Sequence, residues 1–298
     1  MLWIPISLAA ATFQILRTSR QHELRDQLSA GAAGFVRYLY GAPFAWALTI
    51  VWFGVAGHDV PTPPTRFWPL VTAAGLAQIV ATVALLRSFR ERDFAVGTVY
   101  SKTEVLAVAI AGAVGLGEPL ALPGWLGAVL VTVGVAWLAS GGSPVRLLRR
   151  AGDPAAVMGL VAGTFFAIAS VLIRAASRSM GEEQPAFDRA LVTLVVMLTI
   201  QTVVNTVGFA VSNPASLPKA LRASRPAVYV GLFSLLGSMG WAWAMTLENA
   251  AKVRTLGQVE LLIAFAIAYV KLGERHTRDD LTASAVVLAG VVMVTLLG

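Results

Sequence analysis

The sequence predicts an all-α integral membrane protein of ten transmembrane helices, arranged as two inverted five-helix repeats. Three observations predict it: extreme apolarity, an internal self-match, and an odd number of spans in each copy. Hydrophobic residues make up 57% of the 298-residue chain and charged residues 13%, with a mean hydropathy of +0.72. A soluble domain carries about a quarter charged residues, so this composition belongs in lipid. Residues 103–118 read TEVLAVAIAGAVGLGE and residues 259–274 read VELLIAFAIAYVKLGE. One separation (260 − 104 = 274 − 118 = 156) sets Glu104 on Glu260, Leu116 on Leu272, Gly117 on Gly273, Glu118 on Glu274, Gly134 on Gly290 and Val135 on Val291.

About 20 apolar residues in a helix cross the hydrocarbon core. That length marks ten spans, near 2–17, 31–56, 68–88, 94–116, 121–140, 155–174, 187–211, 226–247, 251–272 and 280–297. Met1 runs directly into the first span with no basic leader or small-residue cleavage site, so that span reads as a retained helix. Pro61, Pro63 and Pro64, then Pro119 and Pro123, Gly141, Gly142 and Pro144, and Pro214 and Pro218 punctuate the connections. The spans divide into a first repeat over 1–140, a linker over 141–154 and a second repeat over 155–298. The first two helices echo each other as well: AAATF at 9–13 matches VAGTF at 161–165, and GFVR at 34–37 matches AFDR at 186–189. This sets Thr12 on Thr164, Phe35 on Phe187 and Arg37 on Arg189. Five helices per copy bring the second copy in from the opposite face of the membrane, which makes the repeat inverted.

The stretch E-V-L-x(10)-G-E at 104–118, with its echo at 260–274, resembles the EamA type of the drug/metabolite transporter superfamily. There the penultimate helix of each half commonly reads L-E-P-V-F-A-x(7)-L-G-E. Glu104 and Glu260 match its first glutamate, Glu118 and Glu274 its last, while Val105 and Leu261 stand where the family usually has proline. The resemblance implies a DMT/EamA-like fold across the whole chain and a transporter. It also implies cytoplasmic termini. The basic residues point the other way, with fifteen in odd-numbered loops against five in even-numbered ones (Arg66, Arg174, Arg178, Lys252, Arg254), Arg37, Lys102 and Arg189 lying within helices. The positive-inside rule then puts both termini outside.

Glu104 and Glu260 are the sharpest candidates for a site. Each lies fourteen residues from its loop glutamate, about 21 Å along a helix, and so near mid-membrane. A carboxylate at that depth is either functional or firmly paired. One reading makes each a proton-titrating group coupled to solute movement, and the other a bond that fixes helix packing. Lys102, two residues from Glu104 and so on another face of a helix, either holds an anionic group or reaches an interface. Headgroup anchoring is the first role for Arg37 and Arg189, and carboxylate recognition the second. Polar residues in the spans lack partners in hydrocarbon, so Thr12, Gln14, Gln78, Ser101, Thr164, Ser238 and Gln258 should face inward and line a cavity. Tyr100, Phe165, Phe166, Trp241 and Trp243 are its aromatic candidates, although Trp241 and Trp243, two apart, do not share a face. Gly127 with Gly134, and Ala283 with Gly290, put small residues on one stripe for close packing, as a repeat or dimer contact. Gly117 and Gly273 suit left-handed helix caps.

With no cysteine, disulfides, thiolate chemistry and Cys-based metal sites are excluded. His22, His58 and His276 all fall in polar loops, no H-E-x-x-H, G-x-S-x-G or nucleotide-binding loop occurs, and nothing calls for a cofactor or metal. The net charge of +7 sits in short loops, which suits anionic lipid headgroups, with no nucleic acid as partner. The expectation is a non-enzymatic secondary transporter of a bacterial-type cytoplasmic membrane, monomeric or homodimeric. It would export a small neutral or zwitterionic solute (metabolite, amino acid or drug) by alternating access, with proton coupling as one mechanism. A flippase for a lipid or lipid-linked sugar is the alternative, and an intramembrane enzyme a more distant one.

Overall fold

The computed structural model describes residues 1–23, 28, 30–88, 100–139, 152–214, 216–222, 225–263 and 277–298. Within those residues the regular elements are helical: α1 (Trp3–Glu23), α2 (Ala30–Thr49, running on as a π-helical turn over Ile50–Val55), α3 (Phe67–Ser88), α4 (Glu104–Leu116), α5 (Leu122–Ala139), α6 (Pro154–Arg178), α7 (Ala186–Ser212), α8 (Ser216–Leu221), α9 (Arg225–Leu247), α10 (Ala250–Gly257) and α11 (Arg278–Leu297). Among the described residues, 6 helical stretches are long and apolar enough to cross a membrane: Gly34–Val55, Phe67–Ser88, Pro154–Arg178, Ala186–Ser212, Ala227–Leu247 and Arg278–Leu297. The protein is therefore a multi-pass membrane protein. The other apolar helices, Glu104–Leu116 and Leu122–Leu138, are shorter. α1 extends to Glu23, past the expected end at residue 17, and α8 is a short helix that the hydropathy pattern does not announce. The linker over 141–154 and the LGE triplet at 272–274 lie almost wholly or wholly outside the described residues.

Two of the expected spans are interrupted. Over 94–116 the described helix runs through residues 100–101, turns at 102–103 and resumes as α4 at Glu104. Over 251–272, α10 ends at Gly257, turns at Gln258 and resumes over 259–263. Both turns tighten to bonds three residues back: Thr103 N–H donates to Tyr100 O (3.3 Å), and Gln258 N–H to Thr255 O (3.0 Å). Side chains drive this by competing for helix carbonyls. Thr103 Oγ1 donates to Tyr100 O (2.7 Å), the acceptor that a continuing helix would offer to the Glu104 amide. Gln258 Nε2 donates to Arg254 O (3.3 Å), the acceptor its own amide would otherwise use.

The chain forms two compact units, Met1–Ile79 with Leu172–Leu247, and Val80–Val171 with Glu248–Gly298, and each draws on both sequence halves. In the first unit α2 and α7 run antiparallel. Thr202 Oγ1 donates to Tyr38 O (3.1 Å), Trp46 Nε1 to Thr199 Oγ1 (3.1 Å) and Trp52 Nε1 to Asp188 Oδ1 (2.8 Å), so partners fall in number as α2 advances. α9 packs on α2 at Gly231, where an added Cβ would lie 2.5 Å from Tyr40 Cβ, and on α1 at Gly240, where it would lie 2.8 Å from Ala10 Cβ.

In the second unit α5 and α11 run antiparallel in closer contact still. A Cβ on Gly127 would stand 2.7 Å from the Gly290 carbonyl oxygen, one on Gly290 2.6 Å from that of Gly127, and one on Gly134 3.2 Å from that of Ala283. The predicted small-residue stripe thus packs these two helices together. Lipid offers no hydrophobic drive for helix association, so such backbone-to-backbone dispersion contacts carry the packing. α4 ends at Gly117 in the left-handed conformation (φ 66°), as expected, with its amide turned back to Gly112 O. Asn249 caps α10 by accepting from Ala251 N–H (2.8 Å), while its Nδ2 ties to Glu118 O at the end of α4 (3.0 Å). α11 opens with a reciprocal capping box between Thr277 and Asp280.

Candidate functional site

The two helix interruptions meet in the second unit, and the charges at them pair crosswise. Glu104, at the start of α4, takes the guanidinium of Arg254 from α10: Nε and Nη2 both approach Oε1. Glu260, just past the turn at Gln258, accepts from Lys102 Nζ at 2.5 Å. Each repeated glutamate therefore pairs with a cation supplied by the other repeat's interrupted helix. Lys102 and Glu104 bond different partners. The four charges sum to zero, which removes the cost that a lone buried ion would incur. The two carboxylates differ in exposure, 5% for the Glu104 side chain and 13% for that of Glu260, with Arg254 at 14% and Lys102 at 15%.

α6 presses against the first interruption. A Cβ on Gly163 would lie 2.7 Å from Ser101 O and 3.2 Å from Glu104 N, so this glycine permits the turn to pack directly on helix backbone. Tyr100 packs on Ala155 and Ala156 of the same helix. Ser101 and Gln258 are buried beside the charges, and Gln258 Oε1 has no hydrogen-bond partner among the described residues. Thr164 is exposed and Phe165 half-buried. The structure thus gathers Glu104, Glu260, Tyr100, Ser101, Lys102 and Gln258 at the two turns.

The remaining candidates belong to the first unit. Gln14 accepts from Trp241 Nε1 (3.1 Å), and Gln78 accepts from Gln201 Nε2 (2.8 Å), which also reaches Gly75 O (3.2 Å). Thr12 is exposed, and its hydroxyl bonds within its own helix to Leu8 O at 2.9 Å. Ser238 is half-buried. Trp241 and Trp243 diverge as predicted: Trp241 is buried on α1, while Trp243 meets Phe187 edge-on (5.0 Å), and Phe187 in turn meets Trp52 (4.7 Å). Arg37 and Arg189 are buried, 7% and 6% exposed, which removes them from headgroup anchoring. The Arg37 guanidinium lies 4.9 Å from the centre of the Tyr38 ring.

Three loop assignments fail. Arg254 and Lys252 sit in α10, and Arg174 is buried in α6, where Nη1 donates to Met245 O (2.7 Å) near the end of α9. Arg254 is thereby a site residue that sequence reasoning placed among surface charges. Its position inside the expected span 251–272 was the available signal. Asp188 was also passed over; it is buried beneath Trp52.

This architecture, apolar spanning helices with paired charges among them, defines a helical multi-pass membrane protein. A model of the EamA-like transporter family matches residues 2–140 and 153–296, and the chain belongs to that family; it is a membrane transporter. Among solved structures 28 chains match. One, described as "Crystal structure of protein", aligns with a TM-score of 0.72 at 15% identity over 99% of this chain and 96% of its own, a likeness of fold alone. Comparison with curated proteins found no match.

Proposed function

We propose that the protein is a secondary transporter that exports a small neutral or zwitterionic organic solute, such as an amino acid, across a bacterial-type cytoplasmic membrane. It works by alternating access of two inverted five-helix repeats. The antiparallel runs of α2 against α7 and of α5 against α11 support an inverted arrangement, since each pair holds the same place in the two sequence halves. The observation that carries the reading is the balanced quartet of Glu104, Arg254, Lys102 and Glu260 at two interrupted helices. Interrupted membrane helices are where transporters commonly hold solutes and coupling ions, because the broken ladder frees backbone dipoles. Among the described residues the quartet carries no net charge, which favours a solute with no net charge over an anion or cation.

Counterflow in proteoliposomes with pooled labelled amino acids tests this. Uptake above empty liposomes, retained when the pool is restricted to neutral members, is expected. Uptake confined to strongly charged compounds would overturn the solute class, and movement of labelled phospholipid in place of amino acids would replace export with a flippase.

A further inference from the structure

We infer that Arg189 forms a carboxylate-binding site at the head of α7, within the first unit, and that its ligand is a small molecule bearing a singly charged carboxylate. The inference rests on the transporter reading for its purpose, since it gives the solute's carboxylate a partner. Its evidence is the condition of one guanidinium. Arg189 is the fourth residue of α7 and is buried. Its Nε and Nη1 have no hydrogen-bond partner among the described residues. A guanidinium does not give up its proton in a protein, so these donors are present at any working pH. Buried donors left unfilled cost free energy, and an ionised side chain buried in a membrane protein marks a place that a ligand completes. Nε and Nη1 lie on the two donor edges of the planar fork, so an oxyanion arriving at either edge meets an unused donor. The repeat counterpart is served differently: the Tyr38 ring faces the Arg37 guanidinium at 4.9 Å, and Nε is the Arg37 nitrogen that lies buried without a partner among the described residues.

Side chains on a helix lean toward its N-terminus, which carries the Arg189 guanidinium back toward the head of α7. Arg174, Arg178, Glu182 and Glu183 lie within electrostatic reach of it, all in the first unit. Neither glutamate fills the Nε or Nη1 donor. Both are exposed to water, and Glu182 pairs with Arg178 at 2.6 Å. Asp188, the preceding residue, turns to Trp52 Nε1 (2.8 Å). Pro185 at the N-cap offers the first-turn amides no side-chain bond, so the positive end of the α7 dipole adds to the attraction for an anion. The two glutamates then select among anions. They repel a doubly charged phosphate more than a singly charged carboxylate, and the two coplanar oxygens of a carboxylate match the fork.

Thermal unfolding of the purified full-length protein tests this with sodium acetate as the probe, against sodium chloride at equal ionic strength and against inorganic phosphate. Wild type is expected to gain stability in acetate beyond that in chloride, and less in phosphate. Arg189→Gln is expected to lose the acetate increment, and Arg189→Lys, which keeps the charge without the fork, to need more acetate for the same gain. If Arg189→Gln does not fold, the Lys variant decides alone. No acetate increment in wild type, an increment unchanged in Arg189→Lys, or a response to phosphate that exceeds that to acetate would overturn the inference. Amino-acid counterflow without an acetate response would sink the inference and leave the transporter reading standing. An acetate response without counterflow would do the reverse.

Discussion

Glu104 Oε1 is held by the guanidinium of Arg254, 150 residues further along the chain, across two helices that are both interrupted beside their charges. Breaking a buried pair on one side leaves the other charge uncompensated, at a cost of about 3–5 kcal/mol. Glu104→Gln and Arg254→Gln should each lower the thermal midpoint of the purified protein strongly. The double variant should be far less destabilised than the sum, because it leaves no lone ion. Strict additivity would show that the two side chains do not interact.

The Gly127–Gly290 contact predicts a second stability result. Alanine at either position inserts a methyl against backbone oxygen, where neither helix has room to yield, and overpacking of this kind costs about 1–3 kcal/mol. Gly112→Ala is the matched control, since a Cβ there meets nothing within 4 Å. Thermal melts should show loss for Gly127→Ala and Gly290→Ala and none for Gly112→Ala.

Gly163→Ala tests the turn at 102–103. Its methyl would collide with Ser101 O, so the turn must shift and carry Lys102 and Glu104 with it. Counterflow should fall while the amount of folded protein in the membrane stays near wild type. Normal flux would mean that the turn tolerates displacement.

The absence of cysteine makes topology directly measurable by single-cysteine labelling. The basic-residue bias puts the loops containing Asp59 and Glu183 outside. Asp59→Cys and Glu183→Cys should react with an impermeant maleimide in intact cells. Labelling only after lysis would reverse the orientation.

Glu182 supplies an internal control for acid effects. The hydrogen bond and charge of Arg178 (2.6 Å) lower its carboxyl below the ordinary carboxylate range. A lowered folded value means that its contribution is present above the unfolded value and lost as pH falls through the folded one. Both partners are largely exposed, so solvent screens the pair. Flux that changes near neutral pH should therefore survive Glu182→Gln unaltered.

Much of the fold could be read from residue order. Hydropathy placed α5, α6, α7, α9 and α11 within a few residues, because lipid demands long apolar helices and turn residues end them. The glycine stripe on α5 and α11 was readable for a similar reason, since small residues at fixed spacing have little other purpose. Arg254 was harder to read, although it lay inside the expected span 251–272. In one dimension a cation near the start of an apolar run looks like an interfacial charge.

The sequence by itself determined the solvent of this protein, its duplicated construction and the presence of a repeated glutamate in each copy. Those follow from composition, spacing and length, which are properties of the chain alone. Only the tertiary structure decided which cation each glutamate meets and where the helices break. Both depend on groups over a hundred residues apart in the chain, or on side chains competing for one carbonyl. Repeat symmetry makes Glu104 and Glu260 equivalent on paper; an arginine beside one and a lysine beside the other make them chemically distinct.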